Sequence, residues 1–305
     1  MKNKRVAVLM STYNGEKYLK DQIESIINQK TSCELCLWIR DDGSKDTTID
    51  IIEHYCKIHD NIKLIKGDNR GCNASFFELL KKVEGYDFYA FSDQDDIWLE
   101  DKIEKGITKL LENDDNVPCL YGSSSYLVKN DMRPFGETQK PIKDININNT
   151  IIQNFIPGHS QIMNESLRKL LIQEIDYSKI YVYDSWITNV AMLYGKIIFD
   201  KESHTYYRMH ENNEVGFGIN KIDWIKDRIK RVKKNDTRKY GIQIEYFYNM
   251  YCADINKVTC EIANMLKMKK NVMTRFYFIL KTKLYRQKDM ETLYFKILYL
   301  LGLYN

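Results

Sequence analysis

The residues of this 305-residue chain best suited to chemistry are carboxylates that follow apolar runs. Asp93-Gln94-Asp95 follows Phe88–Phe91 after the single residue Ser92. Acids gathered at a strand end repel one another unless a cation sits among them. Oxygen ligands in a partial set suit Mg²⁺ or Mn²⁺, with diphosphate oxygens completing the shell. In isolation such a D-x-D is more simply a solvated turn capping a helix that starts near Trp98. Its place behind a buried strand, with polar partners at other strand ends, points to the metal. Asp41-Asp42-Gly43-Ser44 has turn and cap composition, and Asp42 could equally accept the ring N–H of a uracil or thymine. Tyr13 would stack on that base or simply pack. Asp184 precedes Trp186, Ile187, Val190, Ala191 and Leu193, so it starts a helix and can cap it. The helix dipole would keep it ionised, the state required of a base for a hydroxyl within reach. From the residues alone, the cap is the simpler role.

Alternating elements must position these groups. Arg5 to Met10 is apolar after its first residue and predicts a strand buried on both faces. Leu19, Ile23, Ile26 and Ile27 recur at helical spacing. Strands are expected at Leu35–Ile39, Ile62–Ile65 and Phe88–Phe91, with helices over Ile49–Tyr55 and Phe76–Val83. This is a βαβ array, with a mostly parallel sheet flanked by helices. Its strands end at Ser11-Thr12-Tyr13, Asp41-Asp42, Asn69-Arg70-Gly71 and Asp93–Asp96, and ligands of parallel sheets bind beyond those ends. Further on, Cys119–Val128 reads as a strand and residues 130–150 as polar loop. Helices are expected at Ser166–Glu174 and Ser185–Leu193, and short strands at Ile197–Phe199 and His204–Arg208. Helical patterning runs from Asn220 to the end. The expected division is a catalytic domain over 1–219 and a basic helical region over 220–305.

Composition narrows the classes. A net charge of +4 makes no demand for nucleic acid. No run reaches the ~20 apolar residues of a spanning helix, and the N-terminal apolar run is too short for a secretory signal. A cytoplasmic protein is expected. The seven cysteines include one lone C-x-x-C, Cys33 and Cys36, on what reads as a strand, so reduced thiols are expected rather than zinc or a redox pair.

Four motifs occur in order: Ser11-Thr12-Tyr13-Asn14-Gly15, Asp41-Asp42-Gly43-Ser44, Asn69-x-Gly71 and Ser92-Asp93-Gln94-Asp95-Asp96-Ile97-Trp98. Together they resemble the inverting family 2 glycosyltransferases of the GT-A fold. Ser75-Phe76 and Tyr207-Arg208-x-His210-x-x-Asn213-x-x-Gly216 resemble the bacterial rhamnosyltransferase-like branch, and the match spans Val6 to Gly218. The resemblance implies that Ser11, Tyr13 and Asp42 hold the nucleoside. It also places Asn69 and Gly71 in the donor site, gives Asp93 the ribose and Asp95 the metal, and sets His210 on the metal or the diphosphate. Arg208 would neutralise phosphate charge. Asp184 stands where the family has its catalytic base, although Tyr183 replaces the usual acid or histidine before it. The implied activity transfers rhamnose from dTDP-rhamnose to a glycan or lipid-linked glycan of the bacterial cell surface. UDP-hexose or UDP-N-acetylhexosamine donors stay open.

The last third is basic and aromatic, with Lys226, Arg228, Lys230, Arg231, Lys233 and Lys234 ahead of a helical stretch. Two readings stand: helices lying on the anionic inner face of the cell membrane, or a solvated basic face packed on the catalytic unit or on a second subunit. A sugar nucleotidyltransferase would need a Gly-rich, Arg-containing loop after the first strand, which Ser11–Gly15 does not provide. A non-catalytic nucleotide-sugar scaffold finds no support in a chain that keeps the D-x-D, Asp184 and His210.

Overall fold

The computed structural model describes residues 4–210, 228 and 232–304. Asn213 and Gly216, the division at 219/220, and Lys226, Lys230 and Arg231 lie outside the described residues.

The strands are β1 (Arg5–Thr12), β2 (Glu34–Asp41), β3 (Ile62–Lys66), β4 (Phe88–Ser92), β5 (Ile97–Trp98), β6 (Cys119–Val128), β7 (Pro134–Glu137), β8 (Ile162–Asn164) and β9 (Lys196–Arg208). The helices are α1 (Leu19–Ile27), α2 (Thr48–Ile58), α3 (Cys72–Lys82), α4 (Lys102–Leu111), α5 (Ile147–Thr150), α6 (Glu165–Leu171), α7 (Tyr183–Tyr194), α8 (Asp236–Val258), α9 (Glu261–Met268), α10 (Val272–Lys281) and α11 (Asp289–Leu300). The chain divides into two compact units. The first comprises residues 1–140, 156–177 and 190–210; the second comprises 141–155, 178–189 and 211–305.

The first unit holds one sheet in the order β3-β2-β1-β4-β8-β6-β9-β5, with β7 paired to β6. β3, β2, β1 and β4 are parallel, as the alternation of strands and helices predicts. β8 runs antiparallel to both β4 and β6, and β6 pairs parallel with β9. Val6 to Met10 are fully buried, which explains their unbroken apolar run. Ile103, Ile107 and Leu110 of α4 face the sheet. Gly106 lets that helix approach, since a Cβ there would lie 2.5 Å from Ile162 Cδ1.

Several sequence expectations change. The helix after the D-x-D begins at Lys102, not near Trp98, because Ile97 and Trp98 pair with Tyr206 and Thr205 of β9. The two short strands expected at 197–208 are one strand of 13 residues. It is interrupted where Ser123 and Ser124 pair with Asp200 and Ser203, a bulge that explains the gap in its apolar pattern. Residues 130–150 are not all loop, since they contain β7 and α5.

The second unit is fastened by buried amides. The Gln287 side chain accepts the N–H groups of Ile142 and Lys143 (3.0 and 2.8 Å) and donates to Asn149 Oδ1 (2.9 Å). Gln243 Oε1 accepts the N–H groups of Tyr181 and Val182, both at 2.8 Å. Trp186 is fully buried against Tyr246 and Phe247 of α8. A buried amide with both ends satisfied fixes segments that apolar contact alone would leave free to slide.

Candidate active site

Two polar clusters form at the carboxyl ends of the parallel strands. The first surrounds Asp42. The Arg40 guanidinium is buried and ion-pairs with Asp42 and, at 3.0 Å, with Glu78. It also donates to Ser75 Oγ (3.2 Å), which bonds Ser11 Oγ at 2.6 Å. The Asp42 carboxylate further accepts the N–H groups of Arg70 (3.0 Å) and Gly71 (2.8 Å). Gly71 caps α3 with φ at 83°, a left-handed backbone that favours glycine. Asn69 is exposed on the same loop. Ser11, Asp42, Asn69 and Gly71 therefore share one corner of the sheet.

The second cluster surrounds the D-x-D. Asp95 Oδ2 bonds His210 Nε2 at 2.8 Å. Arg208 donates its Nε–H to the Asp95 carbonyl (3.0 Å) and its backbone N–H to Asp96 Oδ1 (3.2 Å). Its guanidinium lies 4.6 Å above the Tyr18 ring, on which His210 stacks at 5.1 Å, and it ion-pairs with Asp21 at 3.3 Å. Asp95, Arg208 and His210 are thus assembled. Gln94 ties this cluster to the first strand: its Oε1 accepts the Tyr13 N–H (2.9 Å) and its Nε2 donates to the Tyr13 carbonyl (3.1 Å). The Tyr13 ring is left exposed.

Beneath the D-x-D lies a buried group that sequence reasoning did not assign. His159 bonds Ser125 Oγ through Nε2 (2.8 Å) and stacks on Tyr207. Its Nδ1 faces Asp93 Oδ2 and Asp96 Oδ2 at 3.9 Å from each. Burial, aided by the Lys102 charge, pushes the His159 imidazole down to about 3, so it is neutral. Asp96 is fully buried, and burial followed by the charges of Asp95 and Asp93 pushes its carboxyl well above the usual range. Lys102 Nζ donates to the His159 carbonyl and, at 2.9 Å, to Thr205 Oγ1, with the Trp98 ring 4.0 Å away. Its ammonium is pushed down by burial, against the upward pull of Asp96 and Asp93. Asp96 was legible as a third acid in the turn. His159 left no local signal, since a contact spanning 57 residues brings it here.

These residues fit a divalent cation. Asp96 Oδ2 is buried without a hydrogen-bond partner, and Asp93, Asp96 and His159 offer ligand atoms all within 4.8 Å of one another. Carboxylate oxygens with a neutral imidazole are suitable donors for Mn²⁺ or, with fewer nitrogens, Mg²⁺.

Asp184 belongs to the second unit, in the first turn of α7. It is buried, and Oδ1 accepts the Ser185 N–H at 2.8 Å. Ser185 Oγ bonds the Tyr240 hydroxyl at 2.6 Å.

The family model described as glycosyl transferase family 2 matches residues 7–171. A dTDP-rhamnosyl transferase of Shigella flexneri, RfbG, is 32% identical over 226 residues, covering 69% of this chain and 74% of that protein. Among solved structures, Staphylococcus aureus TarS 1–349 in complex with UDP superposes with a TM-score of 0.58 at 20% identity, over 93% of this chain and 76% of that one. A mannosyltransferase of Pyrobaculum calidifontis in complex with GDP-mannose and Mn²⁺ gives 0.54 at 14% identity, over 99% and 86%.

Proposed function

This chain belongs to glycosyl transferase family 2 and is a glycosyltransferase of GT-A fold; we propose that it moves rhamnose from dTDP-rhamnose to a hydroxyl of a bacterial cell-surface polysaccharide precursor, with inversion at the anomeric carbon. The observation that carries this reading is the convergence of Asp42 with its loop, the Asp93–Asp96 turn, Arg208 and His210 at the ends of parallel strands. The choice of sugar rests on the rhamnosyl transferase relative.

In this proposal the nucleoside lies over the first cluster. The Asp42 carboxylate has about four acceptor positions and three donors on it, from Arg40, Arg70 and Gly71. A base ring N–H would be the fourth. The exposed Tyr13 ring would stack on the base, Ser11 and the Asn69–Gly71 loop would border the nucleoside, and Asp93 would take the ribose. Asp95 and His210 would hold Mg²⁺ or Mn²⁺, and the Asp93, Asp96 and His159 set beneath them is a second group of donors that could take the ion instead. Such a cation, when bound, stabilises negative charge on a departing diphosphate. Arg208, already fixed beside Asp95, would add a second positive charge there. Asp184 would take the proton of the acceptor hydroxyl.

The test is thermal denaturation with dTDP, UDP, GDP and CDP, each with and without Mn²⁺. A ligand that binds only the folded protein raises its apparent stability by mass action. The expected result is a metal-dependent rise with dTDP exceeding that with UDP. A larger rise with UDP would move the donor to a UDP-hexose or UDP-N-acetylhexosamine, because uracil and thymine share the ring N–H that Asp42 would read. No rise with any nucleotide would overturn the site.

A further inference from the structure

The second unit exposes an apolar and basic face that carries none of the candidate site residues. Of the 14 large hydrophobic side chains exposed among the described residues, nine fall between Val272 and Leu301. On α10 the outward residues Val272, Met273, Phe276 and Leu280 follow helical spacing and form one stripe. Phe278 points the other way and packs on Tyr299 with ring centroids 4.8 Å apart. On α11 Met290, Leu293 and Ile297 face outward, while Phe295, Leu298 and Tyr299 face inward. The exposed stripes are therefore not failed core positions, because each helix already buries its opposite side. An Asn271–Thr274 capping box fixes the start of α10.

Charge identifies the occupant. From Ile262 to Lys288 the chain has eight Lys and Arg residues and no Asp or Glu. Lys267, Lys270, Lys281, Lys283 and Lys288 are exposed. A self-pairing dimer through such a face would bring like charges together across its two-fold axis. An anionic bilayer supplies both an apolar interior and negative headgroups. At 10 residues, α10 is about 15 Å long, against a hydrocarbon core of about 30 Å. No helix among the described residues is long and apolar enough to cross a membrane. We propose that the outward faces of α10 and α11 lie in the interface of an anionic membrane, with Met273, Phe276 and Leu280 inserted among acyl chains and the exposed lysines on the headgroups. This inference does not depend on the choice of donor or acceptor.

The experiment is co-sedimentation of the full chain with vesicles of phosphatidylcholine, alone or mixed with phosphatidylglycerol. Wild type should bind the mixed vesicles, bind more weakly as salt rises, and ignore the neutral ones. Removing three lysines (Lys270→Ala, Lys281→Ala, Lys283→Ala) should weaken binding roughly a hundredfold, at about fivefold per lysine. Removing the apolar stripe (Met273→Ser, Phe276→Ser, Leu280→Ser) should abolish it. Both variants change exposed side chains only and should keep the wild-type melting temperature and nucleotide response, which reports separately on the transferase reading. Failure of wild type to bind the anionic vesicles would overturn the proposal. So would wild-type binding by both triple variants, or a solution dimer that the apolar variant dissociates.

Discussion

The Gln94 amide closes a two-bond clasp on the Tyr13 peptide, at 2.9 and 3.1 Å, and joins the end of β1 to the acidic turn. Gly15 makes room for it: a Cβ there would sit 2.2 Å from Gln94 Oε1 and 2.7 Å from its Cδ. Gly15→Ala must therefore push the amide off Tyr13. A neutral hydrogen bond contributes a net ~0.5–1.5 kcal/mol, and these two are partly open to water, so about 1–2 kcal/mol should be lost. With Gln94 already changed to Ala, the obstruction is gone. Gly15 is not among the residues with a left-handed backbone, so adding the methyl group there should be neutral or stabilising by up to ~1 kcal/mol, through the unfolded chain. The four proteins of this cycle, compared by urea denaturation, should give a coupling energy of about 1–3 kcal/mol. Gly15→Ala that is equally harmful in both backgrounds would place the clash elsewhere. Gly15→Ala that is harmless in wild type would mean that the clasp contributes nothing.

Three further outcomes are expected. Asp184→Asn should lower transfer by ~10²–10⁴-fold, the usual worth of a general base, while calorimetric binding of nucleotide with Mn²⁺ stays near wild type; substantial residual turnover would remove Asp184 from that role. Arg40→Met strands the buried Asp42 carboxylate without its cation and should cost ~3–5 kcal/mol, read as a fall in denaturation midpoint together with weaker nucleotide binding; an unchanged midpoint would show that the loop N–H groups suffice. In the second unit a Cβ on Gly241 would lie 2.3 Å from the Tyr304 carbonyl oxygen. Gly241→Ala should destabilise by ~1–3 kcal/mol through overpacking, and full stability in the same assay would show that the C-terminal residues yield freely.

The legible and hidden parts of the molecule separate by physical cause. β1, β2 and β4 were readable because strands largely buried on both faces give apolar runs, β3 because Ile62, Leu64 and Ile65 stand out around the exposed Lys63, and α1 to α3 because one face repeats at helical spacing. β5 and β8 are too short, at two and three residues, to show any period. β9 read as two strands because its bulge places Lys201 and Glu202 outside the ladder. The D-x-D and the Asp42 loop stood out as polar clusters after apolar runs. Lys102 and His159 did not, since burial of a charged or titratable group depends on contacts between distant segments. Arg40 read as part of a strand end, and nothing local marks it as the centre of an ion-pair network.

The pairing of β5 with β9 explains how a local motif becomes a site. Ile97 pairs with Tyr206 and Trp98 with Thr205, so the acidic turn just before β5 lies opposite the residues just after Tyr206. That register sets the Arg208 N–H on Asp96 and brings His210 to Asp95. A slip of one residue would turn each side chain to the other face of the strand, pointing Arg208 away from Asp95 and placing Met209 near the turn. The pairing that fixes this register is only two residues long, yet the β6–β9 ladder extends from Cys119 to Val128 and already sets the position of β9. The Arg208 guanidinium and the His210 imidazole beside the D-x-D thus depend on a strand that reaches them from the far side of the sheet. A motif scan limited to the acidic turn would find the carboxylates and miss what holds them in place.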